Sequence, residues 1–487
     1  MVNVGIIVIY FVLMILIGIF TRKRAQNADG FFVAGRSGSL FLITGSLVAT
    51  IIGGSATVGM AGLGFKQGLT GAWWVLVGSI GLIVLGLFWA KKIRSTGLYT
   101  LPELLEKQYN SHVALATSAL VVIAWIAVIA GQTLAAGTIL SVLGYGDPVL
   151  WMVLFTCAFV TYTAVGGQHA DIRTDVVQAI VIYIGIFSGL LVILPHVGGL
   201  SGLKGALPPD SFAFPISAKF GGMDLVSYLL LIGLAYVVGP DMYSRILSAR
   251  DPRTARNSTL WSAAILIPIT FAVTLIGMAA VVLFPQITAE QAFPTIVNEL
   301  LPPFAGGLVL AALVSATMSS ADSCLLSAST ILTVDVIKHF RPSLSEHQVV
   351  FIARWGIVIL GILSLLMALA LKGIINALML AYTIYTAGVI VPVLAGFYRE
   401  RLRVTPAGAM AAIIGGGIIA IISKLPGIAS SNIPLISQLG AIKHLDLWAL
   451  ATSAMLLLAV SFVDNQIKRH LSAPQRVSIN QKKLNLD

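Results

Sequence analysis

Charge is scarce in this sequence. Asp, Glu, Lys and Arg make up 10% of its 487 residues, where a soluble domain carries about a quarter. A water-soluble globule is excluded on that ground. Cysteine is nearly absent too, with Cys157 and Cys324 alone, each inside an apolar run. That removes a disulfide scaffold and a Cys/His metal centre, and leaves both thiols as packing residues. Long polar stretches are also missing, the longest being the basic tail from about Gln466, so no attached catalytic or signalling domain is expected. The 57% hydrophobic content excludes disorder and a coiled coil. The apolar runs are long and continuous rather than alternating, which excludes a transmembrane β-barrel. What remains is an all-α integral membrane protein.

Apolar runs of span length fall at 3–21, 38–64, 70–90, 112–143, 148–166, 172–196, 224–247, 257–284, 303–335, 349–371, 374–398, 405–423 and 445–465, thirteen in all. The first is expected to be a span rather than a secretory signal, because Arg22, Lys23 and Arg24 follow it and no basic residue precedes it. With the N-terminus outside and the C-terminus inside, 24 of the 30 Lys and Arg fall in inside loops. The formal net charge of +11 therefore reports topology in a plasma (inner) membrane, not nucleic acid. The tail reads as an anchor near anionic lipid.

Two spans are interrupted. The second carries Gly53-Gly54-Ser55 in mid-run, and the seventh carries Gly239-Pro240-Asp241. Adjacent glycines allow unwinding or close helix packing, and proline breaks the helical ladder. Interruptions five spans apart predict two inverted five-helix repeats around a midplane site. The expected layout is an extra helix and first loop in 1–37, repeats in 38–223 and 224–404, two further helices in 405–465, and the tail in 466–487.

The ninth span packs Ser315, Thr317, Ser319, Ser320, Asp322 and Ser323 into one stretch. An ionised Asp at a helix centre costs about 2.5–3.5 kcal/mol on insertion scales, so Asp322 requires a partner. No Lys or Arg is expected at that depth. Ser319, Asp322 and Ser323 share a face at i, i+3 and i+4, and oxygen ligands suit a hard cation such as sodium. The competing reading is a protonated Asp322 with its serines bonded back to their own helix. Asp175 reads locally as a helix-start acid, and Asp241 as the i, i+4 partner of Arg245.

These stretches resemble the sodium/solute symporter family, whose members include sodium/glucose, sodium/proline, sodium/pantothenate and sodium/sialic-acid carriers. The likeness runs over nearly the whole chain. It is carried by Met318-Ser319-Ser320, Ser327-Ala328-Ser329-Thr330 and Thr333-Val334-Asp335, by Gly45 to Gly62, and by Thr174-Asp175-Val176-Val177-Gln178. It implies the LeuT-type five-plus-five fold with broken second and seventh spans. It implies a first sodium held by Ala49, Ile52 and Ala316 carbonyls and the Ser319 and Ser320 hydroxyls. A second sodium, or a proton, would use Asp175, Asp322 and Ser323. Asp322 stands where other members often have Ser or Thr, and Ile51 where many have Asn or Asp. The solute is expected among Gly53, Ser55, Ala56, Thr57, Trp73, Trp74, Gln132, Tyr236 and Asp241. The apolar third span disfavours a sugar. An amino acid, carboxylate or vitamin-like solute is expected, an anion being able to use the helix ends at the breaks.

The expected function is sodium-coupled symport into the cell by alternating access, with no organic cofactor and no enzyme chemistry. A proton-coupled carrier using Asp322 or Asp175, or a channel or membrane sensor, is the alternative. A monomer is compatible with this reading.

Overall fold

The computed structural model describes residues 2–21, 25–141, 147–371, 373–424 and 445–472. No β-strand forms among them. Their helices are named here in chain order: α1 Val2–Thr21, α2 Leu40–Ile51, α3 Met60–Gln67, α4 Trp73–Phe88, α5 Ser111–Ser141, α6 Pro148–His196, α7 Leu234–Val238, α8 Pro240–Ser248, α9 Pro252–Leu283, α10 Pro303–Ile331, α11 Glu346–Ala370, α12 Ile374–Tyr385, α13 Pro406–Lys424 and α14 Leu445–Ser472. Short connecting helices are left unlabelled.

Among the described residues nine helical stretches are long and apolar enough to cross a membrane, with three shorter apolar helices beside them. The count of thirteen is not reproduced as such. The expected fifth and sixth spans form one continuous stretch, α6, turned at Gly167. The turn requires glycine: its φ of 53° and ψ of −157° suit no side chain. A Cβ there would also lie 2.9 Å from the Phe31 carbonyl oxygen.

Helix starts follow local chemistry. The Ser39 hydroxyl accepts from the Leu42 amide at 3.3 Å to open α2. Asp251 accepts from the Thr254 amide at 2.8 Å, with Pro252 at the first position of α9. These bonds, the Thr254 hydroxyl first, hold the exposed Asp251 carboxyl down at about 2. Ser345 and Gln348 close a capping box on α11.

The chain divides into two compact units. The first comprises residues 1–101 and 121–382. At its centre lies α10, in which every residue from Val309 to Ile331 is buried. That explains how so many hydroxyls are tolerated in one span: they face protein, not lipid. The apolar exterior is carried by residues such as Ile9, Phe20, Phe351 and Ile362, as a lipid-facing surface requires.

The second unit comprises residues 102–120 and 383–487. There α13 packs closely on α14. The Ser461 hydroxyl accepts the Thr405 amide at 2.9 Å, and the Ser453 hydroxyl donates to the Ala412 carbonyl at 3.3 Å.

Candidate ion and solute sites

The break after α2 leaves backbone groups without helical partners. The Ile52 amide still donates to Val48 at 3.0 Å. One residue on, the ladder stops, with Ile52 at φ −82° and ψ 73°. The Gly53 amide turns to the Ile51 carbonyl at 3.0 Å, and the Gly54 amide to Gln132 Oε1 at 2.7 Å. The Ala49 and Thr50 carbonyls thus lose the donors a continuous helix would have given them.

Hydroxyls from α10 replace those donors. Ser319 Oγ donates to the Ala49 carbonyl at 2.8 Å and lies 3.0 Å from the Ala316 carbonyl. Ser320 Oγ donates to the Thr50 carbonyl at 2.6 Å. The approach is close enough to require glycine. A Cβ on Gly53 would overlap the Ser320 hydroxyl, and one on Gly54 would overlap Ala135 Cβ. Beyond the break the chain resumes as a wide π-type turn, Ser55–Gly59, and then α3.

Of the five expected first-sodium residues, Ala49, Ala316 and Ser319 are therefore brought together. Ser320 sits one carbonyl along, on Thr50. Ile52 stands at the turn itself, where its amide caps α2.

Next to this lies a buried ionic cluster. Asp171 and Asp175, one turn apart on α6, and Asp322 on α10 place carboxylate oxygens within 4.8 Å of one another. Arg245 of α8 enters among them, fully buried. Its Nη2 donates to Asp171 Oδ2 and Ser323 Oγ, and reaches Asp175 Oδ2 at 3.3 Å. Its Nη1 donates to Ser244 Oγ at 2.8 Å. Ser46 Oγ donates to Asp175 at 2.5 Å, the Ser323 amide donates to Asp322 at 2.6 Å, and Thr50 and Ser323 hydroxyls lie 3.1 Å apart.

Two expectations are corrected here. A basic residue does reach the depth of the ninth span, where none was expected: Arg245 enters the cluster, although its ion pairs are with Asp171 and Asp175 and not with Asp322. And Arg245 forms its ion pairs with Asp171 and Asp175 rather than with Asp241 four residues before it. The helix break at Gly239-Pro240 re-aims α8, so its one guanidinium points across to α6. Asp171 was missed, although its i, i+4 spacing from Asp175 was a readable signal. One guanidinium against three carboxylates leaves two negative charges in excess when all are ionised. Asp171 Oδ1, Asp175 Oδ1 and Asp322 Oδ2 are buried with no protein partner. Such a cluster calls for a cation or for protons.

A cavity of about 30 Å³ opens beside the break. Thr50, Ile51 and Ser55 form one wall, with Trp125, Val128 and Gln132 of α5 opposite. Ala235 and Tyr236 of α7, Asp241 and Met242 of α8, Ser320 and Cys324 of α10, and Tyr382 of α12 complete it. Its size suits about two waters.

Ser55, Gln132, Tyr236 and Asp241 of the expected solute residues line this space. Gly53 does not line it, but lies against Ser320 and Gln132, which do. Ala56 and Thr57 are buried away from it, the Thr57 hydroxyl donating to the Gly53 carbonyl at 2.9 Å. Trp73 is a correction: its indole N–H donates to the Pro215 carbonyl at 2.8 Å, and its ring stacks on Phe214 at 5.0 Å. It packs under a loop because it opens α4 where that loop crosses. Trp74 packs on Tyr228 at 5.7 Å and stands behind Tyr382 at 6.4 Å. Trp125, Tyr382 and Cys324 were missed, since nothing in an apolar run tells which face meets a cavity.

The sodium:solute symporter family model matches residues 31–416. The sodium/glucose cotransporter of Vibrio parahaemolyticus is 25% identical over 471 residues, covering 87% of this chain and 84% of that protein. Sodium/glucose cotransporter 4 of Danio rerio is 27% identical, covering 74% of this chain and 62% of that protein. Sodium/myo-inositol cotransporter 2 of Oryctolagus cuniculus is 26% identical, covering 75% and 60%. This chain thus spans about three fifths of the length of these two vertebrate proteins. Among solved structures, a Na+-coupled sialic acid symporter in a substrate-bound outward-open state superposes with a TM-score of 0.78 at 19% identity, covering 95% of this chain and 98% of that one. MhsT in complex with L-phenylalanine superposes with a TM-score of 0.58 at 14% identity, covering 86% and 97%. These likenesses show the LeuT-type fold.

Proposed function

The chain belongs to the sodium:solute symporter family, and on that premise we propose how this sodium-coupled symporter of a small solute uses its sites. The first sodium sits between the break in α2 and α10, held by the Ala49, Ile52 and Ala316 carbonyls and the Ser319 and Ser320 hydroxyls. The observation that carries this is the Ser319 hydroxyl, which already spans the carbonyls of Ala49 and Ala316. A sodium ion there would draw the same oxygens inward and fix the break against α10.

The solute occupies the adjacent cavity beside Ser55, Gln132, Tyr236 and Asp241. Because Thr50 and Ser320 belong both to the ion's surroundings and to the cavity wall, ion and solute bind with positive coupling. Uptake runs into the cell from an N-out, C-in protein, in which the membrane potential adds about 2.3 kcal/mol per charge per 100 mV. Segments 38–223 and 224–404 act as the two repeats that rock about the site.

A second cation is favoured by the excess negative charge around Arg245. Asp175, Asp322 and Ser323 hold it, either as sodium or as a proton on Asp322. Uptake into proteoliposomes tests both readings. Sodium-dependent uptake that fails in Ser319→Ala while the protein remains abundant supports the first site. Uptake that persists without sodium and collapses with the proton gradient would replace it with a proton-driven carrier.

A further inference from the structure

We infer that the solute carries a cationic nitrogen, an ammonium or methylated ammonium group that pairs with Asp241 inside a wall of aromatic rings; this rests on the reading of the cavity as the solute site. Among the described residues Asp241 is the single charged group lining the cavity, with no Lys, Arg or His beside it. Arg245, one turn further along α8, is committed to Asp171 and Asp175.

Asp241 stands at the second position of α8, directly after the break at Gly239-Pro240. Its own amide and that of Met242 donate to its carboxylate. Helix N-termini favour the ionised form of such an acid, whereas burial opposes it, so a cationic group arriving in the cavity would supply the counter-charge that a buried carboxylate needs. The rings of Trp125, Tyr236 and Tyr382 line the same space. Aromatic faces attract cations, the more so where water is excluded. Two of the polar groups that might serve other solutes are already engaged. Ser320 Oγ is on the Thr50 carbonyl, and Gln132 Oε1 holds the Gly54 amide. A polyol would find fewer partners than it has hydroxyls here, and an anion would meet a carboxylate and the negative faces of rings. A compact ammonium group finds both the counter-charge and the rings.

Cys324 lets the cavity report on itself. It lines the space, and Cys157→Ser leaves it the sole cysteine. Two methanethiosulfonate reagents of similar size, one bearing trimethylammonium and one bearing sulfonate, convert the thiol to a disulfide and release methanesulfinate. Their rates on the purified full chain in sodium, each divided by its rate with a free thiol in solution, give the charge preference of the cavity. The cationic reagent should be favoured about tenfold, the scale of a field-focusing cleft, and Asp241→Asn should bring the ratio toward unity. A ratio at or below one, or a ratio unchanged in Asp241→Asn, overturns the inference. Failure of both reagents to react overturns the cavity as a solute route altogether.

Thermal unfolding with choline, glycine betaine, glucose or lactate, with and without sodium, separates the remaining outcomes. Stabilisation by choline identifies a net cation, and stabilisation by betaine alone a zwitterion; either supports the cationic nitrogen. A sodium-dependent shift from glucose or lactate with none from the ammonium probes sinks the inference and leaves the symport reading standing. Absence of any sodium effect on the protein or on any probe sinks the symport reading itself.

Discussion

The Ser319 hydroxyl donates to the Ala49 carbonyl at 2.8 Å across 270 residues of chain. One bond thus ties the polar centre of α10 to the point where α2 stops being a helix. Replacing Ser319 by Ala removes the ligand oxygen and leaves a buried carbonyl without its donor. A net loss of about 1.4 kcal/mol, within the range of a single such hydrogen bond, corresponds to about tenfold weaker binding. The half-saturating sodium concentration for uptake should rise about tenfold, whereas Ser319→Thr, which keeps the hydroxyl, should stay close to the parent. Equal sodium dependence in all three proteins would remove Ser319 from the ion site.

Gly53 is required for space. A Cβ there overlaps the Ser320 hydroxyl and lies 2.7 Å from Gln132 Oε1. Overpacking of this kind costs about 1–3 kcal/mol, so Gly53→Ala should lower the unfolding midpoint and impair uptake. Ser320→Ala in the same chain vacates part of the clash and should recover some of the midpoint. A double variant no more stable than Gly53→Ala would place the strain elsewhere.

How much of this was readable beforehand follows the range of the interaction. The break at Gly53-Gly54 and the hydroxyl face of α10 are local patterns, written within one helix turn, and sequence shows them directly. The family resemblance added Asp175 by motif position. Arg245 was visible as a residue but misassigned, because its local neighbour Asp241 offered a plausible partner. Its true partners lie 70 and 74 residues away on α6, and only the bend at Pro240 decides between them. Trp125 and Tyr382 sit in apolar runs where a cavity wall and a packed core have the same composition. The all-α membrane-spanning class was legible for a different reason: it depends on the lengths of apolar runs, which are one-dimensional.

Arg245 holds its surroundings together. Removing one partner of a buried ion pair costs about 3–5 kcal/mol, because the other is left charged and uncompensated. Arg245→Met should therefore reduce folded protein sharply. Adding Asp171→Asn removes one of the stranded charges and should restore part of the yield and of the unfolding midpoint. If the single variant is as stable as the parent, the guanidinium is not balancing the acids on α6.

Asp322 separates the two ways of balancing the cluster. Its Oδ1 takes the Ser323 amide, while Oδ2 is buried without a protein partner. Asp322→Asn keeps the shape and one acceptor but gives up the charge. If the acid holds a second sodium, the variant should carry one cation fewer per solute. Its uptake should then depend on sodium without cooperativity, and on membrane potential less steeply. If the acid instead carries a proton, sodium cooperativity should be unchanged. What is lost should then be the acceleration of uptake by an inward proton gradient at fixed sodium. Reversal-potential measurements in proteoliposomes, with the sodium and proton gradients set independently, distinguish these results. A variant identical to the parent in both would leave the first sodium site, built on Ser319 and the broken end of α2, as the sole point of coupling.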